Sequence, residues 1–139
     1  MAGAYQTTGE TARRGTNVWP DTGGGWMNGR GDETMTMLQG YAYMYDFFTS
    51  FDWWSTEPHD ELVTTGNYCL AQPGKTYVIY LPRGGSATVQ LQPGVYSALR
   101  FDPTRGTTTN LGLIRNKRSW TSPATSKEFD SALLIQRTQ

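Results

Sequence analysis

The chain has 139 residues with 12 basic and 12 acidic side chains: enough for one compact domain, with no basic surplus to hold a nucleic-acid backbone. Charged residues are only 17% of the chain while glycine (16) and aromatics (5 Trp, 8 Tyr, 5 Phe) are plentiful, which excludes a coiled coil or a disordered chain and fits a turn-rich β protein. A single histidine, His59, and a single cysteine, Cys69, exclude an internal disulfide and argue against a zinc centre.

Residues 1–31 form a Gly- and Thr-rich arm. It holds one short strand-like piece, Thr16-Asn17-Val18-Trp19, and the run Gly23-Gly24-Gly25-Trp26-Met27-Asn28-Gly29-Arg30-Gly31. The opening residues Met1 to Tyr5 lack the basic and apolar pattern of a signal peptide. No segment approaches the roughly 20 apolar residues of a membrane span, so a soluble chain without an export signal of its own is expected.

A helix is expected next. Asp32 is a good N-cap, Glu33 suits the positive end of the helix dipole, and no proline interrupts the run to Phe51. Leu38, Tyr41, Tyr45 and Phe48 recur at helical spacing, widened by Met37, Met44 and Phe51; Tyr43 and Phe47 lie off that stripe. A helix apolar on most sides needs cover on more than one face, which predicts a homo-oligomer formed through Glu33 to Phe51. In the linker that follows, from Asp52 to Leu62, Pro58 is expected to open one short helical turn.

From about residue 63 the chain reads as strands punctuated by turns. Asn67–Ala71 precedes Pro73-Gly74, Thr76–Leu81 precedes Pro82-Arg83-Gly84-Gly85, Ala87–Leu91 precedes Pro93-Gly94, and Val95–Phe101 precedes Pro103-Thr104-Arg105-Gly106. Such regular turn signals mark a sandwich or a barrel. The continuous apolar run Tyr77–Leu81 is expected to be the central strand, and Phe129–Gln136 is expected to close the second sheet. Cys69, in an apolar strand, reads as a buried thiol. The basic run Arg115, Lys117 and Arg118 reads as a solvated strand edge. The fold class is therefore mainly β: one sandwich, residues 62–139, preceded by a long helix and a Gly-rich arm in residues 1–61.

Most short motifs have plain explanations. Gly74-Lys75-Thr76 lacks the upstream glycine of a phosphate loop and leads into a strand, so it is a turn. Arg30-Gly31-Asp32 spells an adhesion tripeptide, but Asp32 already serves as N-cap. No Gly-x-Ser-x-Gly elbow accompanies His59. The aromatics are more informative, because sugar rings present flat C–H faces that stack on Trp and Tyr. Trp53, Trp54, Tyr68, Tyr77, Tyr96 and Trp120 form the pool from which a carbohydrate platform can be drawn, with core packing as the competing use of each.

Asn67-Tyr68-Cys69-Leu70-Ala71, Pro73-Gly74-Lys75, Tyr77 to Pro82 with Gly84-Gly85, and Phe101-Asp102-Pro103 with Gly106 carry a family resemblance. Residues 62–136 resemble the C-terminal accessory sandwich, labelled a collagen-binding domain, of apiosidase-like (β/α)8-barrel glycoside hydrolases. The N-terminal half is similar to the last βα unit of that barrel. The resemblance implies ligand contacts at the barrel end from Trp19, Asp21, Trp26 and Arg30, and a secreted bacterial parent enzyme. It implies no catalytic residue here, since the family's catalytic carboxylates sit on earlier barrel strands. The family's final strand often starts with Asp-Trp, whereas here Asp130 is followed by Ser131, which counts against a ligand role for that edge.

Three functions follow as expectations. The favoured one is a non-catalytic accessory module that binds a polysaccharide or oligosaccharide, without metal or other cofactor. The second is a structural domain that braces a barrel or self-associates. The third is a small glycoside hydrolase built from Asp21, Arg30, Glu57 and Asp60, since glycoside hydrolysis needs two carboxylates.

Overall fold

The computed structural model describes residues 36–115 and 118–138. The chain divides into two compact units between Ala42 and Tyr43, and the architecture below is that of the second. The Gly-rich arm, Glu33, and the barrel-end residues Trp19, Asp21, Trp26 and Arg30 lie outside the described residues.

Six strands form one antiparallel sheet. They are β1 (Glu57–Pro58), β2 (Tyr68–Gln72), β3 (Thr76–Leu81), β5 (Val95–Asp102), β6 (Thr107–Arg115) and β8 (Ser131–Arg137), in the order β1-β2-β3-β8-β5-β6. β4 (Thr88–Gln90) and β7 (Ser119–Thr121) pair as a separate two-stranded ribbon. The expected mainly β, antiparallel sandwich is thus present in a lopsided form. Pro73-Gly74 turns the chain between β2 and β3, and the ladder runs from Gln72↔Thr76 to Tyr68↔Tyr80.

The large sheet is covered on both faces, as strand alternation requires once two faces carry apolar side chains. On one face Cys69, Ala71, Tyr77, Ile79, Leu81, Tyr96, Ala98, Ile114, Leu133 and Ile135 pack beneath Val63, Ala87, Val89 and Leu91, with Trp120 of the ribbon against them. On the other face Leu70, Val78, Leu99, Phe101, Ala132 and Leu134 meet the end of the helix α1 (Thr36–Thr49) and the residues just after it. The C-terminal strand β8 does not close a second sheet: it lies beside β3 in the middle of the large one, where both strands are covered on two faces and so are apolar on successive residues.

Two residues of the expected stripe, Phe48 and Phe51, pack on the sheet side, joined there by Tyr43 and Phe47 from off the stripe. Tyr43, Phe47 and Phe51, spaced four apart, point at the sheet; Phe47 and Phe51 are buried and Tyr43 packs against their cluster. The Phe47 ring stacks on Phe101 at 4.5 Å with 19° between planes. Tyr45, placed on the main stripe by spacing, is 68% exposed. The reason is local to the partner: Gly106, at φ +66, leaves room that a Cβ would fill at 2.4 Å from the Tyr43 ring. The tyrosine lies against bare backbone there.

Three further differences stand out. Pro58 does not open a helical turn: Glu57–Pro58 pairs with Leu70 and Ala71 as an edge strand, and the short 3-10 turn begins at Asp60. β6 has no counterpart among the expected strands because Thr107–Asn110 shows no apolar alternation. It pairs with β5 across a register shift at Ala98/Leu99. β7 is only three residues long, too short to register as a period.

Candidate functional site

The hairpin β2–β3 places Tyr68 and Tyr80 opposite each other at its open end. By strand alternation both share a face with Leu70 and Val78. The helix end covers that inner pair, whereas Tyr68 is 58% and Tyr80 38% exposed. Their rings are near parallel, 26° between planes with centroids 6.4 Å apart. Cross-strand neighbours can reach this arrangement without cost, since directly opposed Cβ atoms are only about 5 Å apart.

A loop running from Ser122 to Asp130 brings a carboxylate to this ledge. The Tyr80 hydroxyl donates to Asp130 Oδ2 at 2.5 Å. That bond, with partial burial and the Asp130 charge, pushes the Tyr80 phenol up to about 12. Among the described residues the hydrogen bond to Asp130 is made at Oδ2, and Asp130 is half-buried. Phe129, beside it in sequence, is 58% exposed.

The loop is fastened at several points. Thr125 donates to the Gly85 carbonyl oxygen through both its amide (2.9 Å) and its hydroxyl (3.2 Å), and the Arg100 guanidinium donates to the Pro123 carbonyl oxygen. Gly84, at φ +56, lets the loop pass so close that a Cβ there would lie 2.1 Å from the Ser126 carbonyl oxygen. The result is a pair of flat apolar rings beside a held carboxylate, a combination that can stack a sugar ring and accept a hydroxyl proton.

The aromatic pool read from the sequence therefore divides. Tyr68 belongs to the ledge. Tyr77 and Tyr96 do not form a platform: both are fully buried, and their rings meet edge to face at 5.9 Å. Their hydroxyls are committed to the interior. Tyr77 Oη accepts from the Gly74 and Gln92 amides at 2.8 and 3.2 Å, and Tyr96 Oη donates to the Gln92 carbonyl oxygen at 2.9 Å. Trp120 is half-buried against the ribbon-side core. Trp53 and Trp54 sit together on a 3-10 turn, rings 6.2 Å apart and edge to face. Trp54 is 69% exposed, while Trp53 packs against the helix-side core.

Tyr80 and Phe129 were missed as site residues, and Asp130 stood on an edge whose ligand role the sequence counted against, although it meets Tyr80. A signal for Tyr80 existed: a turn centred on Pro73-Gly74 fixes the hairpin register, and that register sets Tyr80 opposite Tyr68. No local signal connects Asp130 to them, because it arrives from 50 residues away.

Of the carboxylates considered for catalysis, one is engaged elsewhere and none is seen beside another in a cleft among the described residues. Asp60 Oδ1 accepts the Cys69 amide at 2.7 Å. Glu61 meets His59 Nδ1 at 2.7 Å, and that hydrogen bond is the first cause holding its carboxyl below the usual range. Glu57 is exposed on the edge strand β1. Asp21 and Arg30 lie outside the described residues.

No family model and no curated protein sequence matches the chain. Solved structures do match. The fold is shared with part of a glycoside hydrolase at a TM-score of 0.64 and 12% identity, the match covering 91% of this chain and 30% of that one. A glycoside hydrolase family 5 protein from Bacteroides vulgatus ATCC 8482 is similar at a TM-score of 0.62 and 12% identity, covering 81% of this chain and 26% of the other. The chain thus spans under a third of the length of these proteins, and the likeness is one of fold. No helix among the described residues is long and apolar enough to cross a membrane.

Proposed function

We propose that the chain is a non-catalytic accessory module of a glycoside hydrolase and holds a glycan against the Tyr68–Tyr80 ledge. The observation that carries this reading is the near-parallel, solvent-facing tyrosine pair with the Asp130 carboxylate held beside it. Exposed rings in register, supported from beneath by a packed sheet, offer stacking area with little ordering cost. The sequence resemblance to the accessory sandwich of apiosidase-like enzymes and the fold likeness to glycoside hydrolases support the same class. The Asp130 carboxylate supplies the polar contact that orients a sugar.

Affinity electrophoresis through gels containing soluble xylan or mixed-linkage glucan tests the reading. Retardation of the chain is expected, and Tyr68→Ala should remove it while leaving the unfolding curve within about 1 kcal/mol of the parent. Unretarded migration in every plant glycan would overturn it. The structural alternative would then be preferred, in which the module braces a barrel or self-associates through the helix. Met44 and Tyr45, 43% and 68% exposed, favour that alternative, since exposed apolar groups side by side on a helix mark contact surfaces.

A further inference from the structure

A second concavity lies on the ribbon side, near the opposite end of the β2–β3 hairpin from the ledge. It is a groove of about 350 Å³ lined by Leu62, Pro73, Tyr77, Gln90, Leu91, Gln92, Pro93 and Arg118. That volume is at the lower end for small-molecule sites, the size of one sugar ring rather than a chain. The floor is apolar, from Leu62, Leu91 and the two prolines. The polar residues along it are Gln90, Gln92 and Arg118.

Charge singles out the occupant. Arg118 is exposed and makes no ion pair with any described residue, and the groove lining contains no carboxylate. Glu61, next to Leu62 in sequence, is paired with His59. Arg137 adds a second cation at the same end: its guanidinium donates to the Gly74 carbonyl oxygen at 3.2 Å, immediately beyond Pro73. It too has no carboxylate partner among the described residues. A guanidinium presents a planar fork of donors matched to a carboxylate, and glutamine amides can both donate to and accept from hydroxyls. An apolar floor, two amides and an unpaired arginine together match a six-membered sugar bearing a carboxylate.

We propose that this groove is a separate binding site for a single uronic-acid residue, with Arg118 taking the carboxylate and Gln90 and Gln92 the ring hydroxyls. The site is independent of the tyrosine ledge. The ledge carries a negative group, Asp130, and so disfavours the same ligand.

Titrating the isotope-labelled full chain with glucuronate, and separately with glucose, while recording amide resonances tests the assignment. Glucuronate should shift Leu91, Gln92 and Arg118 in a saturable manner, and glucose should leave them in place. Arg118→Ala removes an exposed side chain, so the fold should persist and the glucuronate affinity should drop roughly tenfold to hundredfold, the range for a lost hydrogen bond to a charged group. Equal shifts with both sugars, no shift with glucuronate, or an unchanged affinity in Arg118→Ala would each overturn the proposal.

Discussion

Two tyrosine pairs, one on each face of the large sheet, invite comparison. Tyr77 and Tyr96 face the ribbon, meet edge to face and are sealed from water, with both hydroxyls spent on backbone groups of the turn regions. Tyr68 and Tyr80 face the helix side, lie near parallel and remain in solvent, with one hydroxyl spent on Asp130. Tyr77 and Tyr80 sit on the same strand only three residues apart. Residue type does not distinguish them. What separates them is strand parity, which assigns the face, and the extent of the covering layer, which decides where that face stops being core. Tyr77 packs in the ribbon-side core, whereas Tyr80 stays 38% exposed.

The widest gap between the pairs should appear in stability. Tyr96→Ala removes a fully buried ring and orphans the Gln92 carbonyl oxygen, so a loss of about 3–5 kcal/mol is expected in urea unfolding, as for buried aromatics generally. If Tyr96→Ala proved as mild as Tyr68→Ala, the division of the two pairs into core and ledge would fail.

A second contrast runs along the helix and sharpens the account of where cover ends. Phe47→Ala takes away the ring stacked on Phe101 and should cost about 3 kcal/mol, the low end for buried phenylalanine. Tyr45→Ala should stay within about 0.5 kcal/mol, as exposed positions do. Thermal unfolding of the two variants side by side would show whether the face spaced at 43, 47 and 51, rather than the stripe through Tyr45, carries the packing.

The smallest effect concerns protons. The Tyr80 phenol is raised from 10.0 to about 12, first by its hydrogen bond to Asp130. Its neutral form is favoured in the folded state, so its contribution to stability is complete below pH 10 and is lost as pH rises towards 12. Spectrophotometric titration of the tyrosines should show a late-ionising group that moves earlier in Asp130→Asn. A late step unchanged by that substitution would detach Asp130 from the ledge.

Much of the architecture was legible from local chemistry. The turns at Pro73-Gly74, Pro82 to Gly85, Pro93-Gly94 and Pro103 to Gly106 separate β2, β3, β4, β5 and β6. Period-two alternation marked Ala87 to Leu91, and the unbroken apolar run marked β3 as interior. These features are properties of neighbouring residues, so sequence alone determined the β class, the turns between strands and the presence of a helix ending near Phe51. Tertiary structure decided the rest, because those choices depend on groups far apart in the chain. Glu57–Pro58 is a strand only because β2 offers it an edge. Tyr43 and Phe47 became the buried helix face because Gly106 and Phe101 lie opposite them. Asp130 reaches Tyr80 only because Gly84 has no side chain to hold the loop away. A helix that is apolar on several sides, or a strand with tyrosines on both faces, leaves its orientation undetermined until a partner's shape selects one.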